Sequence, residues 1–423
     1  MTEPEQEEGA RNDADAQDIE AIYGKQGEQA PGLEQLAEMR HDFAPWHHPV
    51  KQIVRTRQWA VLTKKLIEAR PAERRQVLKY FTLPGADLLD VRTLAAVCEP
   101  LGVKIEYFGF NSGGAPADPG GVAEDGVRPA AWVMAESALR QAGRITEDAV
   151  ILEDQLEDIA EAGSQAAIQL QQRGTFDVIN IDPCDHLAYC PKGRTKNTFN
   201  ALEALLKHQM GATSPWLLFI TTRVSPELLG QPGVAFQNAI TQNLGMPESG
   251  FGASLAECIS ANAARIGAEL STVWSTHDAR FLRLYSVGLG KYLLQFFHAQ
   301  PNMPANVELA SVYAYRVYAD QPDMLALAFQ ITPDPKRVFA PQVGNSVAFA
   351  PLEPARAVGV AKRAMRLEDL DGLIAANEYI RNEAVDGTRS LLQTARFDLA
   401  KWAAWLAGHS KRPMTVTQEA GAA

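Results

Sequence analysis

Between residues 77 and 222, short apolar runs alternate with segments whose apolar positions recur every three or four residues. The runs cover 77–83, 103–110, 149–152, 176–181 and 216–222. Runs this short and this rich in β-branched and aromatic residues read as strands buried on both faces of a sheet. The spacing between them predicts helices near 89–101, 129–142, 163–172 and 198–210, with Gly102 placed as a C-terminal cap. Strands alternating with helices of this length imply βαβ units, right-handed crossovers and a parallel sheet. The run at 176–181 ends in Asp182-Pro183-Cys184-Asp185. Pro183 has no N–H to donate, so the strand must stop there. In open α/β sheets ligands bind at the carboxyl ends of the strands, which puts Asp182 where chemistry is expected.

Beyond 222 the pattern changes. Residues 226–268 read as a Pro- and Gly-punctuated helical insertion, and a strand is expected after His277-Asp278. Two β-rich runs at 307–318 and 324–331 flank the polar turn Ala319-Asp320-Gln321-Pro322-Asp323 and predict an antiparallel hairpin. A Pro-rich stretch (333–354) leads to helix over 355–408. The expected organisation is an acidic disordered tail (1–40), a basic helical segment (41–74), a Rossmann-like domain (75–331), a Pro-rich linker with a helical region (332–410) and a flexible end (411–423).

Charge sharpens the picture at two places. Residues 1–39 hold 11 acids against Arg11 and Lys25, so they carry −9 of the net −11 and leave a nearly neutral body. Such a segment suits a solubilising tail, and an internal mimic of nucleic acid is the alternative reading. Residues 51–79 carry nine bases and two acids. Within them Lys51, Arg55, Arg57, Lys64 and Lys65 are candidates for a phosphate-contacting surface, against the plainer reading of a solvated helix face. Four cysteines in 423 residues make no disulfide framework. With no run of about 18 apolar residues and an acidic start, neither a membrane span nor a secretory signal is expected, which points to the cytoplasm.

A mostly parallel sheet closed by a terminal antiparallel hairpin resembles class I S-adenosylmethionine-dependent methyltransferases, over about residues 75–331. The resemblance implies S-adenosylmethionine as cofactor and a site built by position. Leu83-Pro84-Gly85 would face the methionine part, Asn111 the ribose, Asp154 the adenine amino group, and Asp182-Pro183 the transferred methyl. The chain departs from that superfamily where one glycine replaces a glycine-rich loop and Asn111 replaces the usual acid. Asp182-Pro183 is also followed by Cys184-Asp185-His186, not by a second proline and an aromatic residue. Glu153 beside Asp154 leaves the register there open by one.

Read for chemistry, Asp182 would orient an acceptor amine or hydroxyl, with Asp185 or His186 as proton acceptor. The following basic turn, with Lys192, Arg194 and Lys196, would grip an anionic substrate, and a solvated loop is the alternative. Nucleic acid is the expected acceptor, and the helical additions offer a surface for a protein partner. A methyltransferase-like scaffold without catalysis is the rival reading. Cys184, His186 and Cys190 suggest zinc, but one cluster at such spacing is incomplete, so no metal is expected. Cys184 with His186 as base lacks an orienting third group.

Overall fold

A computed structural model describes residues 39–112, 131–183, 185–299, 304–334 and 352–409. The acidic tail, most of the loop expected after Asn111, Cys184, most of the Pro-rich stretch and the chain end lie outside these residues. Among the described residues there are eight strands: β1 (Val77–Thr82), β2 (Lys104–Phe110), β3 (Val150–Leu152), β4 (Val178–Ile181), β5 (Trp216–Arg223), β6 (Ala305–Tyr315), β7 (Met324–Pro333) and β8 (Glu368–Asp369). They form one sheet in the order β3-β2-β1-β4-β5-β7-β6-β8. β1 to β5 are mutually parallel, while β7 runs antiparallel between β5 and β6. This is the Rossmann-like layout, parallel with a terminal hairpin, that the alternating pattern predicts.

Period-two burial explains why helices cover both faces. Phe81, Phe108, Ile179, Leu218 and Leu327 point to one side, into a core that also holds Leu170 and Leu202 from the crossover helices. Leu78, Tyr80, Ile105, Tyr107 and Phe219 point to the other, against Val54, Trp59 and Leu94. A sheet apolar on both faces is stable only when both are covered. Phe81, Phe108 and Phe176 form an aromatic cluster on the first side, with Phe81 and Phe176 edge to face at 5.5 Å. Such a pair adds about 0.5–1.5 kcal/mol beyond area burial.

The first helix, α1, starts as Pro49–Ile53, passes through a π-helical stretch Val54–Ala60 and ends as Val61–Glu68. It lies against the second face and carries Lys51, Arg55 and Trp59 at successive steps of four, hence on one side of the helix. The helix α2 (Leu89–Cys98) follows β1 and ends in a turn closed by Gly102 at φ 66°. α3 (Ala131–Gln141), α4 (Gln165–Gln171) and α5 (Thr198–Gln209) complete the crossovers.

Residues 230–298 form four helices: α6 (Gly230–Leu244), α7 (Phe251–Cys258), α8 (Ile266–Ser275) and α9 (Ala279–His298). The strand expected after Asp278 is therefore a helix. Asp278 caps it, accepting from the N–H groups of Arg280 and Phe281. α9 is buried around much of its circumference, and its opening residues 281–287 form a short apolar run that a strand could equally carry. α10 (Leu352–Ala364), α11 (Leu370–Ala376), α12 (Glu378–Thr394) and α13 (Leu399–His409) make up the C-terminal region. α10 packs on the first face beside α9, and Ile380 and Ala384 of α12 join the second core.

The loop after β1 depends on a missing side chain. A Cβ on Gly109 of β2 would lie 2.9 Å from Cδ of Pro84. Gly109→Val is expected to destabilise the protein by about 1–3 kcal/mol through overpacking, read as a lower urea midpoint with unchanged slope. Wild-type stability would show that Pro84 yields freely.

Candidate active site

β1 to β4 run in the same direction, so the loops that follow them meet at one edge of the sheet. Asn111 binds two of these loops together: its side-chain amide donates to the Pro84 carbonyl at 3.0 Å and its N–H to that of Leu152 at 2.9 Å. Leu88 completes the β1 turn in the left-handed region at φ 51°, where a non-glycine residue is strained. Between the loops lies a cleft of about 580 Å³. Leu83, Pro84, Gly85, Asn111, Asp154, Asp182 and Pro183 all line it. Asp154, not Glu153, is the acid that faces it.

The opposite wall comes from the segment just before α1: Arg40, Phe43, Trp46 and His47. The far end of the chain holds this segment. Arg40 pairs with Phe397 as a β-bridge, and the Trp402 indole donates to the His47 carbonyl at 3.1 Å. The Phe43 ring packs on Phe397 and Trp405. Trp46 and Tyr189, each 38% exposed, stand at the mouth.

An inner pocket of about 110 Å³ adjoins the cleft, sharing Trp46, Leu83, Gly85, Asp87 and Asp182 with it. Arg55, Trp59, Leu89, Asp90 and Asn180 complete its lining. Beneath it the buried Lys51 ammonium donates to Asp182 at 2.7 Å and to the Thr221 hydroxyl at 3.3 Å. It also lies over the Trp59 ring, 4.9 Å from its centre. Asp90 accepts from the hydroxyls of Tyr80 and Thr82. Burial raises its pKa, and those two hydrogen bonds oppose the shift. Asn180 donates to the Tyr80 oxygen at 3.0 Å, while its own side-chain oxygen, buried, has no partner among the described residues. Across the cleft, burial likewise raises the pKa of Glu157, which accepts from the Thr198 hydroxyl at 2.7 Å.

The other expected site residues are placed differently. Asp185 and His186 do not line the cleft. The Asp185 backbone carbonyl accepts from the Arg223 N–H at 3.0 Å, and its carboxylate from the His186 N–H at 2.8 Å. Both residues are thereby turned toward the end of β5, and burial lowers the His186 pKa. Of the three catalytic candidates, Asp182 alone reaches the cleft.

The basic residues do not form a single phosphate-contacting surface, which corrects that expectation. Lys51 and Arg55 are buried, because their face of α1 packs on the sheet. Arg57 pairs with Glu383 at 2.7 Å, and Asp158 holds Arg194 from two oxygens. Lys64 and Lys65 are exposed further along α1, whereas Lys192 is exposed and Lys196 half-buried beyond Tyr189. The Cys190 thiol sits 3.2 Å from the carbonyls of Arg194 and Lys196. No group of three side chains able to hold a metal occurs among the described residues.

Sequence reasoning missed the inward stripe Lys51–Arg55–Trp59. A tryptophan in register with two cations was the signal that could have found it. Residues 40–407 match the model of the PP_RS20740-like family. The chain belongs to the PP_RS20740-like family. That match begins at Arg40, where the cleft wall begins, and ends within α13, so this PP_RS20740-like protein carries its whole cleft within the matched residues. No curated protein matches. Among solved structures, a provisionally assigned class I S-adenosylmethionine-dependent methyltransferase of Listeria monocytogenes is similar at 12% identity, with a TM-score of 0.33. The match covers 72% of this chain and 66% of that one, a little under two thirds of its length. A likeness of that strength decides neither fold nor chemistry, which rest on the strand order and the cleft.

His47 gives the site a pH signature. Burial, helped by the nearby Arg55 charge, lowers its pKa to about 3. The unfolded chain takes up this proton near pH 6.5 and the folded chain only near 3, so acid favours unfolding. Stability is expected to fall as pH drops from about 6.5 toward 3, by up to ~1.4 kcal/mol per pH unit from this group. His47→Gln should flatten that slope in urea titrations. Identical slopes for the two proteins would refute the assignment.

Proposed function

We propose that this protein transfers a methyl group from S-adenosylmethionine, with nucleic acid as acceptor. One observation carries the reading: the residues that follow four successive parallel strands, singled out by the resemblance, line one cleft. Its size lies within the roughly 300–1,000 Å³ typical of cofactor sites. The residues suit the cofactor. A Cβ on Gly85 would meet nothing within 4 Å, so the loop leaves open space where the ligand would pass. The unpartnered Asn180 oxygen, Asp182 and Arg55 border a small pocket suited to an ammonium and a carboxylate, the charges of the methionyl end. Asp154 and Glu157 provide acceptors at the other end for the adenine amino group. Asn111, whose amide is engaged with Pro84, offers the ribose less than an acid would.

When bound, the cofactor supplies a methyl group on a cationic sulfur, already a good leaving group. The protein's own task is then mainly alignment. Asp182 accepts a hydrogen bond from the acceptor nucleophile, and Lys51 fixes the orientation of that carboxylate. The wall of residues 40–47 keeps water from that side of the cleft. Tyr189 at the mouth provides a face for a planar base, and Lys192 and Lys196 in the next turn would bind phosphate.

Calorimetric titration of S-adenosylmethionine tests the cofactor. Micromolar binding is expected, abolished in Gly85→Trp and weakened about tenfold, or ~1.4 kcal/mol, in Asp182→Asn, which keeps the shape beside Lys51 but removes the charge bordering the methionyl pocket. No binding even at millimolar cofactor would refute the proposal. For the acceptor, Lys192→Glu with Lys196→Glu should reduce the salt slope of RNA or DNA binding by about 0.7–0.9 for each phosphate the turn neutralises. An unchanged slope would remove this turn from the acceptor site.

A further inference from the structure

A second concave site lies at the edge of the sheet where β1, β4 and β5 begin. Val77 opens β1, Asp177 directly precedes β4 and Leu217 is the second residue of β5. All three line a cavity of about 540 Å³, which shares no residue with the cleft. The length of β1 sets the two ~20 Å apart. Leu62 and Leu66 of α1 join Val77 and Leu217 in an apolar floor. The volume lies within the roughly 300–1,000 Å³ typical of small-molecule sites.

The charges of this cavity do not balance. Asp177, the one acid in its lining, is already engaged. One carboxylate oxygen meets Arg70 at 2.6 Å, and the other accepts from the Lys79 N–H at 2.8 Å. The side chains of Lys65, Arg74 and Lys79 line the same space with no ion-pair partner among the described residues. The turn that carries Arg70 and Arg74 is fixed in advance, because Arg75 donates to the carbonyls of Arg70 at 2.7 Å and Glu68 at 2.8 Å. A guanidinium offers a planar fork to a carboxylate, phosphate or sulfonate, and ammonium groups add charge from other directions. We propose that this cavity binds a small amphipathic anion, one acidic group on an apolar body. The acidic group lies among Lys65, Arg74 and Lys79, and the body covers Leu62, Leu66, Val77 and Leu217. A metal cation would meet like charge here, and a sugar would leave both the cations and the floor unsatisfied.

Fluorescence titration of the full chain with anilinonaphthalene sulfonate, an aromatic monoanion, tests this, with uncharged phenylnaphthylamine as the comparison probe. The sulfonate is expected to bind one-to-one with a micromolar dissociation constant, and the uncharged probe about tenfold more weakly. Lys65 and Arg74 are exposed, so Lys65→Glu with Arg74→Glu should leave the melting temperature unchanged. In that variant the sulfonate's dissociation constant should rise about tenfold while that of the uncharged probe stays the same. Gly85→Trp, which obstructs the cleft, should leave sulfonate binding intact and so separates this site from the cofactor site. Equal affinity for the two probes would overturn the proposal. So would an unchanged constant in the Lys65→Glu, Arg74→Glu variant, or loss of sulfonate binding in Gly85→Trp. Co-sedimentation with phosphatidylglycerol vesicles in the absence of saturable sulfonate binding would also overturn it, in favour of a membrane-facing patch.

Discussion

A single buried ammonium ties the protein together. Lys51 reaches from the first turn of α1 to Asp182 at the end of β4 and to Thr221 at the end of β5, with Trp59 and Tyr315 rings beside it. Taking an ammonium out of water costs several kcal/mol, and only a close partner and further interactions offset that. Here the partner is the residue on which the proposed chemistry turns. The N-terminal helix is consequently part of the site's foundation, because its position and the orientation of Asp182 are set by one ion pair. The π-helical stretch that follows Lys51 carries Arg55 and Trp59 to the same pocket, a local irregularity of a kind often found at functional sites.

The departures from a glycine-rich cofactor loop have a common physical basis. Pro84 stiffens the turn after β1, and Gly109 on the neighbouring strand makes room for its ring. Asn111 then donates to the Pro84 carbonyl, which an ionised acid could not do. Proline, glycine and asparagine thus act as one unit across the β1 loop and the end of β2. Together they hold the turn after β1 in one conformation by rigidity and cross-linking. The absence of a Cβ still matters in this arrangement, but at Gly109 under the loop as well as at Gly85 within it.

Strand ends are legible in the sequence because a buried parallel strand is a continuous apolar run and Pro183 or Asn111 stops it sharply. That is why Leu83, Asn111 and Asp182 can be placed at strand ends from the sequence, whereas Glu153 and Asp154 could not be told apart there. Direction within a helix is harder to read. Lys51 and Arg55 count as charges in any composition window, and only the packing of α1 shows that they face inward while Lys64 and Lys65 face out. α9 escapes for another reason: Phe281, Leu282, Leu284, Tyr285 and Val287 make a short apolar run of the kind that strands and buried helices share. The wall formed by residues 40–47 is invisible from its own sequence, since its partners Phe397, Trp402 and Trp405 lie more than 350 positions away.

That last separation bears on how the protein comes into being. The ribosome releases a chain from its N-terminus, and domains fold as they emerge. β1 to β5 can pair while synthesis continues, and so can the loops that follow them. Residues 40–47 cannot be clamped until Phe397, Trp402 and Trp405 have left the ribosome. The cleft is therefore among the last parts of the molecule to be completed, and a nascent or truncated chain carries an open trough in its place.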